Sequence, residues 1–230
     1  MIQAIFFDFN GVIIDDEPLQ LKAYQEVLAG QGISLSEEQY YASMGMDDTA
    51  FLRAAFKRGE KELTDATMHS AMDSKSEIHR RLIEDELPLF PGVVTFLKAT
   101  SRRYQIGLVS MARLIEIEYV LERARLGALF KVSVSAEEVT HCKPDPECYK
   151  LGLEKLNAKR CADRTLPLLP EECLVIEDAA QGIEAGRAGG MRSMGVTNTV
   201  AEAQLRAAGA DVVTRSLADW TVDAVELVFC

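Results

Sequence analysis

Four short stretches of the chain carry residue types that together could act on phosphorus. Asp8 follows an apolar run over 2–7, broken only by Gln3, and precedes the strand-breaking pair Asn10-Gly11. Ser110 closes a second apolar run over 105–109, and Lys143 sits in the loop His141-Cys142-Lys143-Pro144-Asp145-Pro146. Glu177-Asp178 follows a third apolar run over 173–176. A carboxylate at a strand end is a nucleophile able to form an acyl phosphate. A lysine neutralises phosphate charge and restrains that carboxylate, while a serine hydroxyl and nearby backbone N–H groups hold phosphoryl oxygens. Mg²⁺ prefers oxygen ligands and keeps several waters, so Asp8, Asp178 and one backbone carbonyl would hold it. Glu177, one residue earlier on an extended strand, points the other way and would support those ligands from behind. Met111 and Arg113, just past Ser110, are candidate substrate contacts. Arg113 could equally pair with a carboxylate.

These stretches need elements that bring them to one place. Asp15-Asp16-Glu17-Pro18 has the acidic and proline signals of a helix start, with Leu21, Tyr24 and Leu28 at amphipathic spacing behind it. Ser36 and Gln39 form a capping-box pattern, and further helices are expected over 47–57 and 65–86. No strand is expected between residues 18 and 87. After Leu87-Pro88-Leu89-Phe90-Pro91-Gly92 the pattern becomes alternating. Helices are expected over 93–102, 112–125, 147–156, 180–188 and 201–208, and strands over 105–109, 131–134, 173–176, 191–196 and 211–213. The polar segment 157–170 reads as a loop. Repeated strand–helix units predict an α/β fold with a parallel sheet and helices on both faces. The expected division is a Rossmann-like core from 1–16 and 89–230, with an all-helical cap inserted as 17–88. In such a sheet ligands collect at the carboxyl ends of the strands, where all four stretches fall.

Bulk composition narrows the partners. The 230 residues are 48% hydrophobic and 27% charged, in the range of a soluble globular chain. A formal charge of -11 argues against nucleic acid or an anionic membrane, both of which need a positive field. The start of the chain lacks a basic region followed by an apolar stretch. The five cysteines form no close C-x-x-C pair, and together these features predict a cytoplasmic location with reduced thiols. The three histidines are too dispersed for a metal cluster. Oligomeric state is left open.

With FFDFNGVIIDDEP, the Ser110 that ends LVS, CKPDP with Lys143, and VIEDAAQGIEAGRAGGM in order, the chain resembles the haloacid dehalogenase superfamily, in its phosphatase and β-phosphoglucomutase-like branch. The resemblance spans nearly the whole chain. It implies a Rossmann-like core, a helical cap, Mg²⁺-dependent chemistry through Asp8, and the backbone carbonyl of residue 10 as a metal ligand. The departure is Asn10, where the family pattern has an aspartate acting as general acid and then base. An amide has nearly the same shape but cannot take up a proton at neutral pH. General acid–base catalysis is worth ~10²–10⁴ in rate, so a folded site with slowed hydrolysis is expected. Lys75 matches a substrate-phosphate lysine of β-phosphoglucomutase-like proteins, or stands on a solvated helix face. Gln20 replaces a histidine of that mutase, and the arginine-bearing cap loop is not evident around Gly45-Met46-Asp47. The leading expectation is a phosphohydrolase of a small phosphorylated metabolite. A phosphomutase and a phosphate-binding pseudoenzyme are the alternatives.

Overall fold

The computed structural model describes residues 1–229. Strand β1 (Ala4–Phe7) is buried along its whole length, which explains why its sequence is continuously apolar rather than alternating. Ile5 and Phe7 face one apolar cluster, and Ala4 and Phe6 face another. Phe6 and Phe7 are fully buried, and each such side chain contributes roughly 2–3 kcal/mol of transfer free energy.

Six parallel strands stand in the order β3-β2-β1-β4-β5-β6. The others are β2 (Gln105–Val109), β3 (Val132–Val134), β4 (Cys173–Glu177), β5 (Arg192–Val196) and β6 (Val212–Thr214). The chain builds outward from β1 on one side, then returns to start β4 on the other. The reversal leaves a crevice beyond the carboxyl ends of β1 and β4. Register makes this concrete: Phe7 pairs with both Leu108 and Ile176, so Asp8, Val109 and Glu177 lie level across three strands.

Four helices lie between β1 and β2: α1 (Glu17–Gly30), α2 (Glu37–Tyr41), α3 (Asp48–Arg58) and α4 (Asp65–Leu82). They share an apolar cluster of their own, including Tyr24, Leu28, Leu52, Phe56 and Ile78. Helix starts follow sequence chemistry. Ser36 and Gln39 make the expected capping box, and the side chains of Asp47 and Thr64 accept from the amides of Ala50 and Thr67. The outgoing and returning chains pair where they leave the sheet, Asp15 N–H donating to Pro88 O at 2.6 Å and Phe90 N–H to Ile13 O at 3.1 Å.

The remaining helices are α5 (Val93–Thr100), α6 (Leu114–Ala124), α7 (Glu147–Ala162), α8 (Ala180–Ala188), α9 (Glu202–Ala207) and α10 (Val222–Phe229). Helix α7 runs six residues past the expected end at 156, into the segment read as a loop. Asn157-Ala158-Lys159-Arg160-Cys161-Ala162 is polar because it faces outward, yet most of its residues are good helix formers. Helix α10 was not expected; it buries Val225 and Phe229, one turn apart, in the cluster under α5. No described helix is long and apolar enough to cross a membrane.

Candidate active site

Asp8 extends β1 by one residue, its N–H donating to Ile176 O at 3.0 Å. Its carboxylate Oδ1 accepts from Phe9 N at 2.8 Å and lies 3.1 Å from Lys143 Nζ. Lys143 is buried, and its ammonium also donates to Glu177 Oε1 at 2.6 Å and Val109 O at 3.3 Å, over the ring of Tyr149. Burial alone would lower the lysine's pKa, but Asp8 and Glu177 outweigh it and the lysine is held firmly charged. Ser110 is buried, and its Oγ accepts from Ala112 N at 3.0 Å, which leaves the hydroxyl proton available to a ligand.

Glu177 and Asp178 are both buried, and each has one oxygen, Glu177 Oε2 and Asp178 Oδ2, with no hydrogen-bond partner. Burial, then the charge of Asp8, pushes both carboxyls well above their ordinary range. Carboxylate atoms of Asp8, Glu177 and Asp178 lie within 4.8 Å of one another. Buried anions this close, with bare oxygens, form a hard-oxygen donor set whose repulsion a divalent cation would relieve. Glu177 is not purely a support from behind. One oxygen binds Lys143 and the Tyr149 hydroxyl, and the other belongs to the acidic cluster.

Two glycines make room for these groups. A Cβ on Gly182 would meet the Glu177 carboxylate at 2.0 Å. Gly11 has φ +73°, and a Cβ there would stand 1.9 Å from Asp178 Oδ2. Gly11→Ala will therefore lower stability by at least about 2 kcal/mol. Urea denaturation measures that loss.

Asn10 lies beside Asp8 in the same cavity. Its Nδ2 donates to both oxygens of Asp16, at 2.9 and 3.0 Å. Asp16 is completely buried, 2.7 Å from His79 Nε2 and accepting from Gln20 Nε2 at 3.0 Å. A carboxylate is thus present near position 10, but one step behind it. Neither Asp16 nor His79 was singled out from sequence. Asp16 reads as a helix-start residue and His79 as one of three scattered histidines, and only folding of α4 onto α1 joins them.

Lys75 is not on a solvated helix face. It is buried and also lines the cavity, with Glu116 of α6 at 2.9 Å and Asp48 of α3 at 3.3 Å. Burial opposes its charge, but those two carboxylates restore it and hold Lys75 protonated. Glu116 also accepts from Ser76 Oγ at 2.6 Å; with Lys75 and His79 this overcomes burial and pulls its carboxyl down to about 2. Met111 lines the cavity as expected. Arg113 does not: its guanidinium turns away to Asp73 and Ser76, both at 3.1 Å, because those partners on α4 pack directly over the start of α6.

Glu17, missed in the sequence as a helix-start acid, also lines the cavity and accepts from the Tyr40 hydroxyl at 2.5 Å. Burial, then Asp16, raises its carboxyl to about 7. A carboxyl raised on folding binds protons in the native state that the unfolded chain has already lost between pH 4.5 and 7. Stability therefore falls as pH rises through that window. Without added metal, melting will occur on the order of 5 °C higher at pH 5.5 than at pH 7.5, and Glu17→Gln will flatten the profile. Calorimetry at the two pH values checks both.

A family model of the haloacid dehalogenase-like hydrolases matches residues 2–190. The chain belongs to that family, and it is an enzyme of the phosphatase branch. Among curated relatives, a phosphorylated carbohydrates phosphatase of Thermotoga maritima is 30% identical over 202 residues, covering 86% of this chain and 87% of its own. Hexitol phosphatase B of Escherichia coli is 30% identical over 233 residues, covering 96% and 95%. A crystal structure of β-phosphoglucomutase from Clostridium difficile shares the fold with TM-score 0.85 at 23% identity, covering 100% and 97% of the two chains.

Proposed function

We propose that this enzyme is a Mg²⁺-dependent phosphohydrolase of a small phosphorylated, carbohydrate-like metabolite, acting through Asp8. The observation that carries the reading is the Asp8 carboxylate 3.1 Å from a buried Lys143, beside the bare oxygens of Glu177 and Asp178. Asp8 attacks phosphorus, the bond from phosphorus to the substrate oxygen breaks, and an aspartyl phosphate and an alcohol result. Water then attacks the aspartyl phosphate, returning the Asp8 carboxylate and releasing inorganic phosphate. Lys143 and the Ser110 hydroxyl hold the phosphoryl oxygens in both steps, and Lys143 keeps Asp8 ionised. Asp8, Asp178 and the backbone carbonyl of Asn10 would hold the metal, with Glu177 alongside. When bound, it supplies charge stabilisation for the transferring phosphoryl group.

The alcohol leaves as an oxyanion that needs a proton, and the attacking water must lose one. Asn10 does neither, so both transfers go through solvent and turnover is slow. Residues 17–88 act as a cap over the 1–16 and 89–230 core, and the paired connections at Asp15 and Pro88 are where it would swing. A mutase reading gains no support from Lys75, whose ammonium is already held by Asp48 and Glu116. Phosphate release from a panel of sugar, polyol and aminoalkyl monophosphates, with Mg²⁺ and with chelator, tests the proposal. Release that depends on Mg²⁺ is expected; none from any ester, p-nitrophenyl phosphate included, would refute it.

A further inference from the structure

The wall of the cavity supplied by the helices between β1 and β2 is built for something positive. Glu17, Gln20, Tyr24, Tyr40, Asp48 and Lys75 line it. Two acceptors there are buried and unpartnered: Asp48 Oδ2 and Gln20 Oε1, on residues each 5% exposed. The amide orientation of Gln20 is set by its Nε2, which donates to Asp16 and Glu116, so Oε1 is the atom left for a ligand. Asp48 Oδ1 is saturated by Tyr24 OH at 2.5 Å and Lys75 at 3.3 Å, which leaves Oδ2 bare. Both orphans ask for donors, and a buried acceptor without one costs free energy.

Charge points the same way. Lys75 is shared between Asp48 and Glu116. Two carboxylates therefore face one ammonium. Burial, with the neighbouring Glu116, pushes the Asp48 carboxyl up even though Lys75 touches it, as expected where negative charge is in excess. A second phosphate group would meet carboxylates here and find the lysine occupied. A hydroxyl would satisfy one orphan and leave the charge uncompensated. A protonated amine brings up to three N–H donors and the missing positive charge together.

Resting on the phosphohydrolase reading, we propose that the helical wall of the cavity, at Asp48 Oδ2 and Gln20 Oε1, binds a protonated amine on the leaving group, so that the substrate class is aminated phosphomonoesters. The cavity, about 100 Å³, suits a small leaving group. The amine is held and not consumed; the products are the amino alcohol and inorganic phosphate.

The test uses matched pairs differing only in amine against hydroxyl: 2-aminoethyl phosphate with 2-hydroxyethyl phosphate, and glucosamine 6-phosphate with glucose 6-phosphate. Fructose 1,6-bisphosphate and p-nitrophenyl phosphate complete the set. In the wild-type enzyme kcat/KM is expected to favour the amine at least about tenfold in one or both pairs, with the bisphosphate poorest. Asp48→Asn will bring that ratio towards one. Because the ratio is taken within one preparation, partial misfolding of the variant does not move it. Should the variant not fold, ethanolamine and glucosamine will still inhibit wild-type hydrolysis of p-nitrophenyl phosphate more strongly than ethylene glycol and glucose. Hydroxyl esters or the bisphosphate cleaved as well as the amines would overturn this inference and leave the phosphohydrolase standing. No hydrolysis of any ester, p-nitrophenyl phosphate included, would remove both.

Discussion

Asp8→Asn will abolish phosphate release, by on the order of 10⁴-fold or more, from every ester the enzyme cleaves. The substitution keeps the shape at the end of β1, and an amide oxygen still accepts the Phe9 N–H bond found at 2.8 Å. It removes the oxygen proposed to attack phosphorus and the charge that Lys143 holds at 3.1 Å. Lys143 keeps Glu177 as a partner at 2.6 Å, so the ammonium is not stranded and the fold survives. The variant also removes one anion from a crowded cluster, so its apo form is expected to melt no lower than wild type. Steady-state phosphate release and calorimetry on the same sample check both halves. An Asp8→Asn enzyme with more than a few per cent of wild-type turnover would mean that the nucleophile lies elsewhere.

The second large effect runs in the opposite direction. Placing a proton-carrying side chain at position 10 is worth ~10²–10⁴ in kcat if acid–base chemistry is what this chain lacks. The structure adds a condition invisible in sequence. Asn10 Nδ2 donates to both oxygens of Asp16, so Asn10→Asp alone would set two carboxylates face to face in a buried site. They would share one proton, and the new group would be a poor base at neutral pH. The single variant is expected to lose stability and gain little. The double variant Asn10→Asp, Asp16→Asn exchanges the two side-chain types and preserves a donor–acceptor contact between them. It is expected to gain at least about 10²-fold in kcat with nearly unchanged stability. Parallel kcat measurement and thermal unfolding of both variants separate these effects. No gain in the double variant would show that proton transfer does not limit turnover.

The convergence of Asp8, Ser110 and Glu177-Asp178 was legible because its parts are local. An apolar run ending in Asp8, another ending before Ser110 and a third ending in Glu177-Asp178 each declare a buried strand with a functional end. Parallel pairing then aligns those ends with no further information. Helix boundaries were less legible where polarity was taken for a loop, as at the end of α7, because a solvent-facing helical turn carries the same residue types.

The partners of Lys75 were not legible, and the reason is distance along the chain. Asp48 and Lys75 are 27 residues apart, and Lys75 and Glu116 are 41. Asp48 and Glu116 each read locally as an ordinary surface charge on a helix. Their buried contact with Lys75 exists only because α3 and α4 close over α6, which also turns Arg113 out of the cavity that its position suggested.

Sequence by itself therefore determined the α/β core, the placing of the Asp8 carboxylate at a strand end and the departure at Asn10, since strand ends and turn residues encode these within a few positions. Only the tertiary structure decided what surrounds them: that Asn10 is held by Asp16, that Lys75 is already neutralised, and that Asp48 and Gln20 leave bare acceptors in the same cavity. Those facts come from packing a helical layer on a sheet edge, where charges far apart in sequence must share one low-dielectric space.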